Sequence, residues 1–152
     1  IRKIEKVSGE TLESYIHSNN KIAAGVSLQE GGKEIAKEIA MHIAATNPLV
    51  ISPGDLDESY INSEREIFKS QVEKENKPEE IREKMIEGKL NKQLADVSLL
   101  KQPFVKDPSK TVEVFLSESN AKISSFVRLE VGEGIEVEKK DFAEEVQSQL
   151  ES

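Results

Sequence analysis

The chain of 152 residues contains no cysteine, and this absence excludes several kinds of site. Without a thiol there is no disulfide framework, no thiolate metal site and no cysteine nucleophile. A cysteine-free chain suits a reducing compartment, so we expect a cytoplasmic protein. A single domain of this length buries about two-thirds of the surface that its unfolded chain exposes, and it needs no covalent staple.

Long apolar runs are missing as well. The apolar runs are only a few residues long, whereas a membrane span needs roughly 20, and no signal-peptide pattern opens the chain. We therefore expect a soluble protein that has no membrane partner. The chain begins at Ile1, directly in patterned sequence, so we interpret it as a fragment of a longer protein.

The chain also has fewer positively than negatively charged residues. Lys and Arg number 21 against 29 Asp and Glu, which gives a formal charge of -8. Binding of nucleic-acid phosphates requires clustered Lys and Arg, so direct contact with nucleic acid is disfavoured. The composition favours a protein partner.

The most regular stretch of the chain is residues 33–48. Its apolar residues recur at helical spacing and form one stripe: Ile35, Ala36, Ile39, Ala40, Ile43 and Ala44. Two glycines before it and Asn47-Pro48 after it are start and stop signals. Met41 points to the polar side, and His42 lies at the edge of the stripe. An exposed Met beside a rim His is typical of the edge of a contact surface, but His42 equally fits a satisfied residue at the edge of the core.

Alternating segments around this helix predict strands. Residues 11–18 and 22–28 alternate and are joined by Asn19-Asn20, which tolerates the positive φ of a tight turn. Residues 123–131 give the clearest strand, with Ile123, Ser125, Val127, Leu129 and Val131 in one alternating set. Residues 1–7 are predicted as a further strand, although their apolar spacing fits no period cleanly.

The remaining segments predict helices. Residues 57–95 are rich in Glu and Lys with narrow apolar seams, which indicates an antiparallel helical hairpin whose second helix has Pro78 at its first position. Asp107-Pro108 predicts the cap and first residue of a short helix that buries Val112, Phe115 and Leu116. Residues 141–150 predict a terminal helix.

Strands and helices are segregated along the chain, which predicts the α+β class: an antiparallel sheet packed with helices, an inserted helical hairpin forming a coiled coil, and a C-terminal helix. The expected domains are a core of residues 1–56 and 96–136, the hairpin of residues 57–95, and a C-terminal helical module of residues 137–152.

Motifs for covalent chemistry are missing. The two histidines, His17 and His42, belong to no H-x-x-H or H-E-x-x-H pattern, and no G-x-S-x-G elbow occurs. The run Gly132-Glu133-Gly134 lacks the third glycine and the Lys of a phosphate loop. We expect no metal, no cofactor and no enzymatic activity. A small hydrolase that uses His42 and a neighbouring carboxylate stays an alternative, and it requires a concave pocket at His42.

Three long segments carry a family resemblance. They are I-A-M-H-I-A-A-T-N-P at residues 39–48, S-L-L-K-Q-P-F-V-K-D-P-S-K-T-V at residues 98–112 and F-V-R-L-E-V-G-E-G-I-E at residues 126–136. In this order they resemble bacterial elongation factor Ts, and the charged hairpin between them fits the same family. The resemblance covers essentially the whole chain.

The resemblance implies a guanine-nucleotide exchange factor that binds elongation factor Tu and promotes GDP release without covalent chemistry. It also implies a core of two related subdomains with an inserted coiled coil and a C-terminal helical module. The family's T-D-F-V segment, which loosens the nucleotide site of the partner, does not occur in these residues. We therefore expect the main exchange element to lie upstream of Ile1, and this chain to dock on elongation factor Tu but to exchange nucleotide poorly.

The partner contacts of the family map to Ile22, His42 and Phe104-Val105, and Met41 joins them as the neighbour of His42. Some members of the family dimerise through their core, so a homodimer is possible. The alternative is a structural interaction or dimerisation module in which the hairpin docks on another protein.

Overall fold

The computed structural model describes residues 3–133, which form two antiparallel sheets and four helices. The elements in chain order are β1 (Thr11–Ile16), β2 (Ile22–Glu30), α1 (Lys33–Thr46), α2 (Glu58–Val72), α3 (Glu79–Asp96), β3 (Pro103–Phe104), β4 (Asp107–Thr111), α4 (Val112–Glu118) and β5 (Lys122–Glu130). Single 3-10 turns precede α2, at Pro53–Asp55, and β3, at Leu99–Lys101. The predicted α+β class is confirmed.

The larger sheet has the order β1-β2-β5, and both of its strand pairs are antiparallel. The turn between β1 and β2 forms at the predicted asparagines, where Asn20 has a φ of 54° and its N–H donates to the carbonyl of His17 at 2.8 Å. Asn tolerates this left-handed conformation better than most residues. Ala24, Val26 and Leu28 lie on the face of β2 that is buried.

Helix α1 covers that face and completes the core. Ile35 of the predicted stripe is only partly buried, and His42 is buried in addition to the other five stripe residues. The buried residues are Ala36, Ile39, Ala40, His42, Ile43 and Ala44. Full burial of an Ile side chain contributes about 1.5–3 kcal/mol, so the stripe is a principal source of stability. The helix ends where predicted, since Asn47 is left-handed with a φ of 49° and donates its N–H to the carbonyl of Ile43 at 3.0 Å.

The helical hairpin leaves and rejoins the core at one place. Helices α2 and α3 contact each other, and Val72 and Leu90 are their buried residues. At the base, the N–H of Leu49 donates to the carbonyl of Val97 at 2.8 Å, and the N–H of Leu99 donates to the carbonyl of Val50 at 2.9 Å. These bonds hold the outgoing and returning chain side by side. The hairpin is therefore as predicted, while its coiled-coil geometry stays a prediction.

Two local predictions are wrong. Residues 3–7 form no strand, and Ile4 is largely exposed, because their three-residue spacing cannot give one buried strand face. Asp107 and Pro108 open β4 rather than a helix: the Asp107 carboxylate accepts the N–H of Ser109 in a local turn. The helix begins at Val112, capped by Thr111, and it buries the predicted face.

Two finer details also differ from the prediction. Pro78 is the N-cap of α3 rather than its first helical residue. In β5 the alternation breaks at a bulge: Ser125 pairs with Ser27, but Ile123 pairs with Leu28. The extra residue moves Ile123 to the face occupied by Phe126, because a bulge reverses the side on which the following residues point.

The predicted C-terminal helix of residues 141–150 lies outside the described residues. Among the helices of residues 3–133, none combines the length and the apolar character that a membrane span requires.

Candidate functional site

The expected site residues on α1 are less exposed than the sequence indicated. His42 is 0 % exposed, and Met41 is half-buried rather than exposed. Of the two interpretations of His42, the structure favours the satisfied residue of the core over the exposed rim residue, and its role in partner binding stays a prediction. The helix stripe is wider than the aliphatic residues suggest, because the chain after α3 packs against the side of α1 that carries His42.

Both ring nitrogens of His42 are hydrogen-bonded. The backbone N–H of Val105 donates to Nδ1 at 3.2 Å, and Nε2 lies 2.9 Å from Oε1 of Gln102. A nitrogen that accepts carries no proton, so the neutral ring bears its proton on Nε2 and donates it to Gln102. Burial lowers the pKa of His42 below its ordinary value, and the bond to Gln102 opposes this shift.

Gln102 is the residue that the sequence interpretation missed. It is buried, and its Oε1 also accepts the hydroxyl of Thr46 at 2.9 Å. Its Nε2 donates to the backbone carbonyl of Asp96, the last residue of α3, at 2.7 Å. The signal in the sequence is an uncharged amide between the apolar pairs Leu99-Leu100 and Phe104-Val105, because an amide that is buried with such neighbours needs a hydrogen-bond partner.

Phe104 and Val105 are neighbours with opposite environments. Phe104 is buried and stacks on Phe115 with a centroid distance of 4.3 Å, while the His42 ring lies 5.8 Å away on a tilted plane. Val105 is 40 % exposed. The next residue, Lys106, pairs with Glu38 of α1 at 2.7 Å. The structure thus joins His42, Phe104 and Val105 into one group, with Val105 as its exposed apolar member.

Ile22 is not part of this group, because it lies on β2 rather than on α1 or in the hairpin of β3 and β4. It begins β2, pairs with Glu130 of β5 and packs half-buried against the core. It also lines an open cleft of about 810 Å³ together with Ile16, Leu129 and Val131. The sequence prediction therefore names two places on the fold: the group around His42 and the start of β2.

The geometry at His42 argues against the hydrolase alternative. A general base needs a ring nitrogen that a substrate can reach, whereas His42 is fully buried and both nitrogens are engaged. Within residues 3–133, no three His, Asp or Glu side chains are grouped so that they could hold a metal ion.

Comparison with known proteins places these residues in a family. The family described as elongation factor TS matches residues 1–133. The elongation factor Ts of Teredinibacter turnerae is 48% identical over 153 aligned residues, which are 99% of this chain and 52% of that protein. The proteins of the same name from Hahella chejuensis and Marinobacter nauticus are 47% and 49% identical, over 99% and 96% of this chain.

The match to the family extends over the sheet, α1, the helical hairpin and the segment that holds Gln102 and Val105. The chain spans about half the length of the curated relatives that it matches. It belongs to the elongation factor Ts family.

Proposed function

We propose that this chain docks on elongation factor Tu as part of a guanine-nucleotide exchange factor and weakens the binding of GDP there. The family assignment supports this role, and the role requires no covalent chemistry and no cofactor. A cytoplasmic location belongs to the same proposal, since translation takes place there. We retain the division into a core of residues 1–56 and 96–136, an inserted hairpin of residues 57–95 and a C-terminal module of residues 137–152 as a proposal.

The observation that carries the proposal is the presentation of Val105. Its side chain is exposed, yet its backbone is held by the buried His42, and the residue before it is buried in an aromatic stack. Interface residues that contribute most to binding are apolar or aromatic groups on rigid supports, because little conformational freedom is lost when the partner arrives. We propose Val105 as the exposed contact, supported by Phe104, with Met41, the neighbour of His42 on α1, and Ile22 as further contacts.

Exchange by such a protein follows from linkage. A factor that binds the nucleotide-free GTPase more tightly than the GDP form weakens GDP binding by the same ratio. A ratio of 100 corresponds to about 2.7 kcal/mol of coupling free energy. For this effect the chain needs only to bind nucleotide-free elongation factor Tu more tightly than it binds the GDP form.

The expected activity is docking with slow exchange, because the T-D-F-V segment of the family does not occur in these 152 residues. The experiment is release of a fluorescent GDP analogue from elongation factor Tu in the presence of the chain, with binding to the nucleotide-free partner measured in parallel. Binding with little acceleration of release is the expected result. Acceleration equal to that of a whole elongation factor Ts would show that the segment is dispensable, and absence of binding would refute the docking role.

Self-association is a second candidate function, favoured by the outer face of the larger sheet. On β1, Leu12 and Ile16 are 43% and 64% exposed, and Val131 after β5 is 71% exposed. Ala23 lies beside Ile16 on this face, whereas Val7 lies against Gly25 and the Ser8 carbonyl accepts the hydroxyl of Ser27. We propose that a second copy of the chain covers the part of the face that residues 7–9 leave exposed, around Ile16 and Val131. Sedimentation equilibrium would show a dimer that Ile16→Lys dissociates, and a monomer at all concentrations would exclude this function.

A further inference from the structure

The exposed Val105 lies in a turn whose own two residues are not of the types that stabilise tight hairpin turns. Phe104 pairs with Asp107, so Val105 and Lys106 are the two turn residues between β3 and β4. Two-residue hairpin turns favour the primed types, which need positive φ and therefore Asn, Asp or Gly. A valine and a lysine supply neither the residue type nor the conformation.

The backbone angles agree with this reading. Among the described residues, the non-glycine residues with positive φ are Asn20, Asn47 and Asn120, so the Val105-Lys106 turn is not a primed turn. Turns of the other types splay the two strands, and the pairing of β3 with β4 is irregular between Pro103 and Phe104. The turn must be held from outside the hairpin.

His42 is the external support. Its Nδ1 accepts the N–H of Val105 at 3.2 Å, and it can do so only while the ring proton stays on Nε2. Oε1 of Gln102 accepts the hydrogen bond from the Nε2–H group, with a distance of 2.9 Å between Nε2 and Oε1. The orientation of the Gln102 amide is fixed in turn, because its NH₂ group donates to the Asp96 carbonyl at 2.7 Å and this leaves its oxygen facing His42.

We propose that His42 is a positioning residue of the docking surface: it holds the turn through the Val105 N–H, and Gln102 selects the tautomer that makes this possible. This inference rests on the proposed function only for its effect on the partner. The hydrogen bonds run without interruption from the carboxyl end of α3 to the exposed turn. His42 therefore acts on the partner through Val105 and needs no contact of its own.

A pair of substitutions separates positioning from packing. The amide oxygen of Asn can take the place of the His Nδ1 acceptor, whereas Gln reaches further and its amide nitrogen takes the place of the Nε2 donor. His42→Asn therefore keeps the bond to the Val105 N–H and loses the bond to Gln102. His42→Gln does the reverse. Gln fills more of the ring volume than Asn, so packing alone predicts that Asn is the more damaging replacement.

The first readout needs no partner. In the whole chain, two-bond proton–nitrogen correlation spectra of His42 should show the Nε2–H tautomer, and the Val105 amide should be protected from hydrogen exchange. His42→Asn should change that exchange by less than about threefold, and His42→Gln should accelerate it about tenfold or more, because the Val105 N–H then loses its hydrogen-bond acceptor. A proton on Nδ1 in the wild-type chain, or the opposite order of the two variants, would overturn the proposal.

The second readout is affinity for nucleotide-free elongation factor Tu. His42→Gln should weaken binding about tenfold, because the competent turn becomes a minor conformation, while His42→Asn stays within about threefold of wild type. Equal affinities for the two variants, with Val105→Asp still disrupting the complex, would refute positioning and leave the docking role intact. If the wild-type chain does not bind, the docking role fails, and the exchange rates of the Val105 amide still decide whether His42 holds the turn.

Discussion

Replacing Gln102 with Met removes the hydrogen bonds at the centre of the site while keeping the length of the side chain. The wild-type amide serves two groups that bond to no other side chain among residues 3–133: the buried Nε2–H of His42 and the backbone carbonyl of Asp96. The hydroxyl of Thr46 keeps a second acceptor, since it also donates to the His42 carbonyl at 2.9 Å. The cost is therefore set by two orphaned groups rather than by lost volume.

The magnitude follows from the burial of those groups. A buried donor without a partner costs about 1–3 kcal/mol, and a carbonyl at a helix end costs less because water can reach it. We expect Gln102→Met to lower the free energy of unfolding by about 2–4 kcal/mol. For a chain of this size, that lowers the melting temperature by roughly 4–16 °C. Urea unfolding followed by circular dichroism measures the free energy, and a thermal melt followed by the same signal measures the melting temperature.

Gln93 of α3 offers the matched control. It is half-buried and donates a single long bond, of 3.3 Å, to the hydroxyl of Tyr60. Gln93→Met makes the same chemical change and should cost less than about 1 kcal/mol. The reasoning is refuted if Gln102→Met is no more destabilising than Gln93→Met, because the network would then contribute nothing beyond a half-buried amide with one long hydrogen bond.

Three further predictions follow from the same structure. Burial lowers the pKa of His42 in the folded chain, so as pH falls below about 6.5 the unfolded chain binds the proton first. The free energy of unfolding measured in urea should therefore decrease as pH falls through this window. His42→Asn should make this dependence of the unfolding free energy on pH less steep. Gly31 has a φ of 114°, and an added Cβ would lie 2.7 Å from the Cβ of Ala121, so Gly31→Ala should cost at least about 1–3 kcal/mol in the same assay. Gly88 lies within α3, and an added Cβ there would meet no other atom within 4 Å. Gly88→Ala should therefore stabilise the fold by about 0.5–1 kcal/mol. Val72→Ala should cost about 1–3 kcal/mol and speed hydrogen exchange in α2 and α3 more than in α1.

Each of these predictions has a contradicting outcome. An unchanged pH slope in His42→Asn would mean that another group causes the acid sensitivity. Equal effects of alanine at Gly31 and Gly88 would show that the positive φ and the close contact are unimportant. Uniform acceleration of exchange after Val72→Ala would show that the hairpin and the core open together rather than separately.

The sequence predicted the elements whose signal is local. Helix α1 combines a wide apolar stripe with glycines before it and Asn47-Pro48 after it, and β1 and β2 combine alternation with a turn at Asn19-Asn20. Such patterns depend on neighbours within one or two turns of chain, and tertiary packing only reinforces them.

These local patterns do not predict contacts between segments that are distant in the sequence. His42 and Gln102 are separated by 60 positions, so nothing local shows that one completes the hydrogen bonding of the other. The hairpin of β3 and β4 was missed because Asp107-Pro108 satisfies the local rules for a helix start. It forms a strand because the turn before it is held by α1, which no window around Pro108 contains.

The docking role is the central claim, and a single comparison of affinities tests it most directly. Binding of the wild-type chain, Val105→Asp and Val114→Asp to nucleotide-free elongation factor Tu is measured by calorimetry. Val105 and Val114 are similarly exposed, at 40% and 43%, so both variants place a new charge on an exposed valine. We predict that Val105→Asp weakens binding about tenfold or more and that Val114→Asp leaves it unchanged. Equal affinities for all three proteins would contradict the assignment of the partner to this surface.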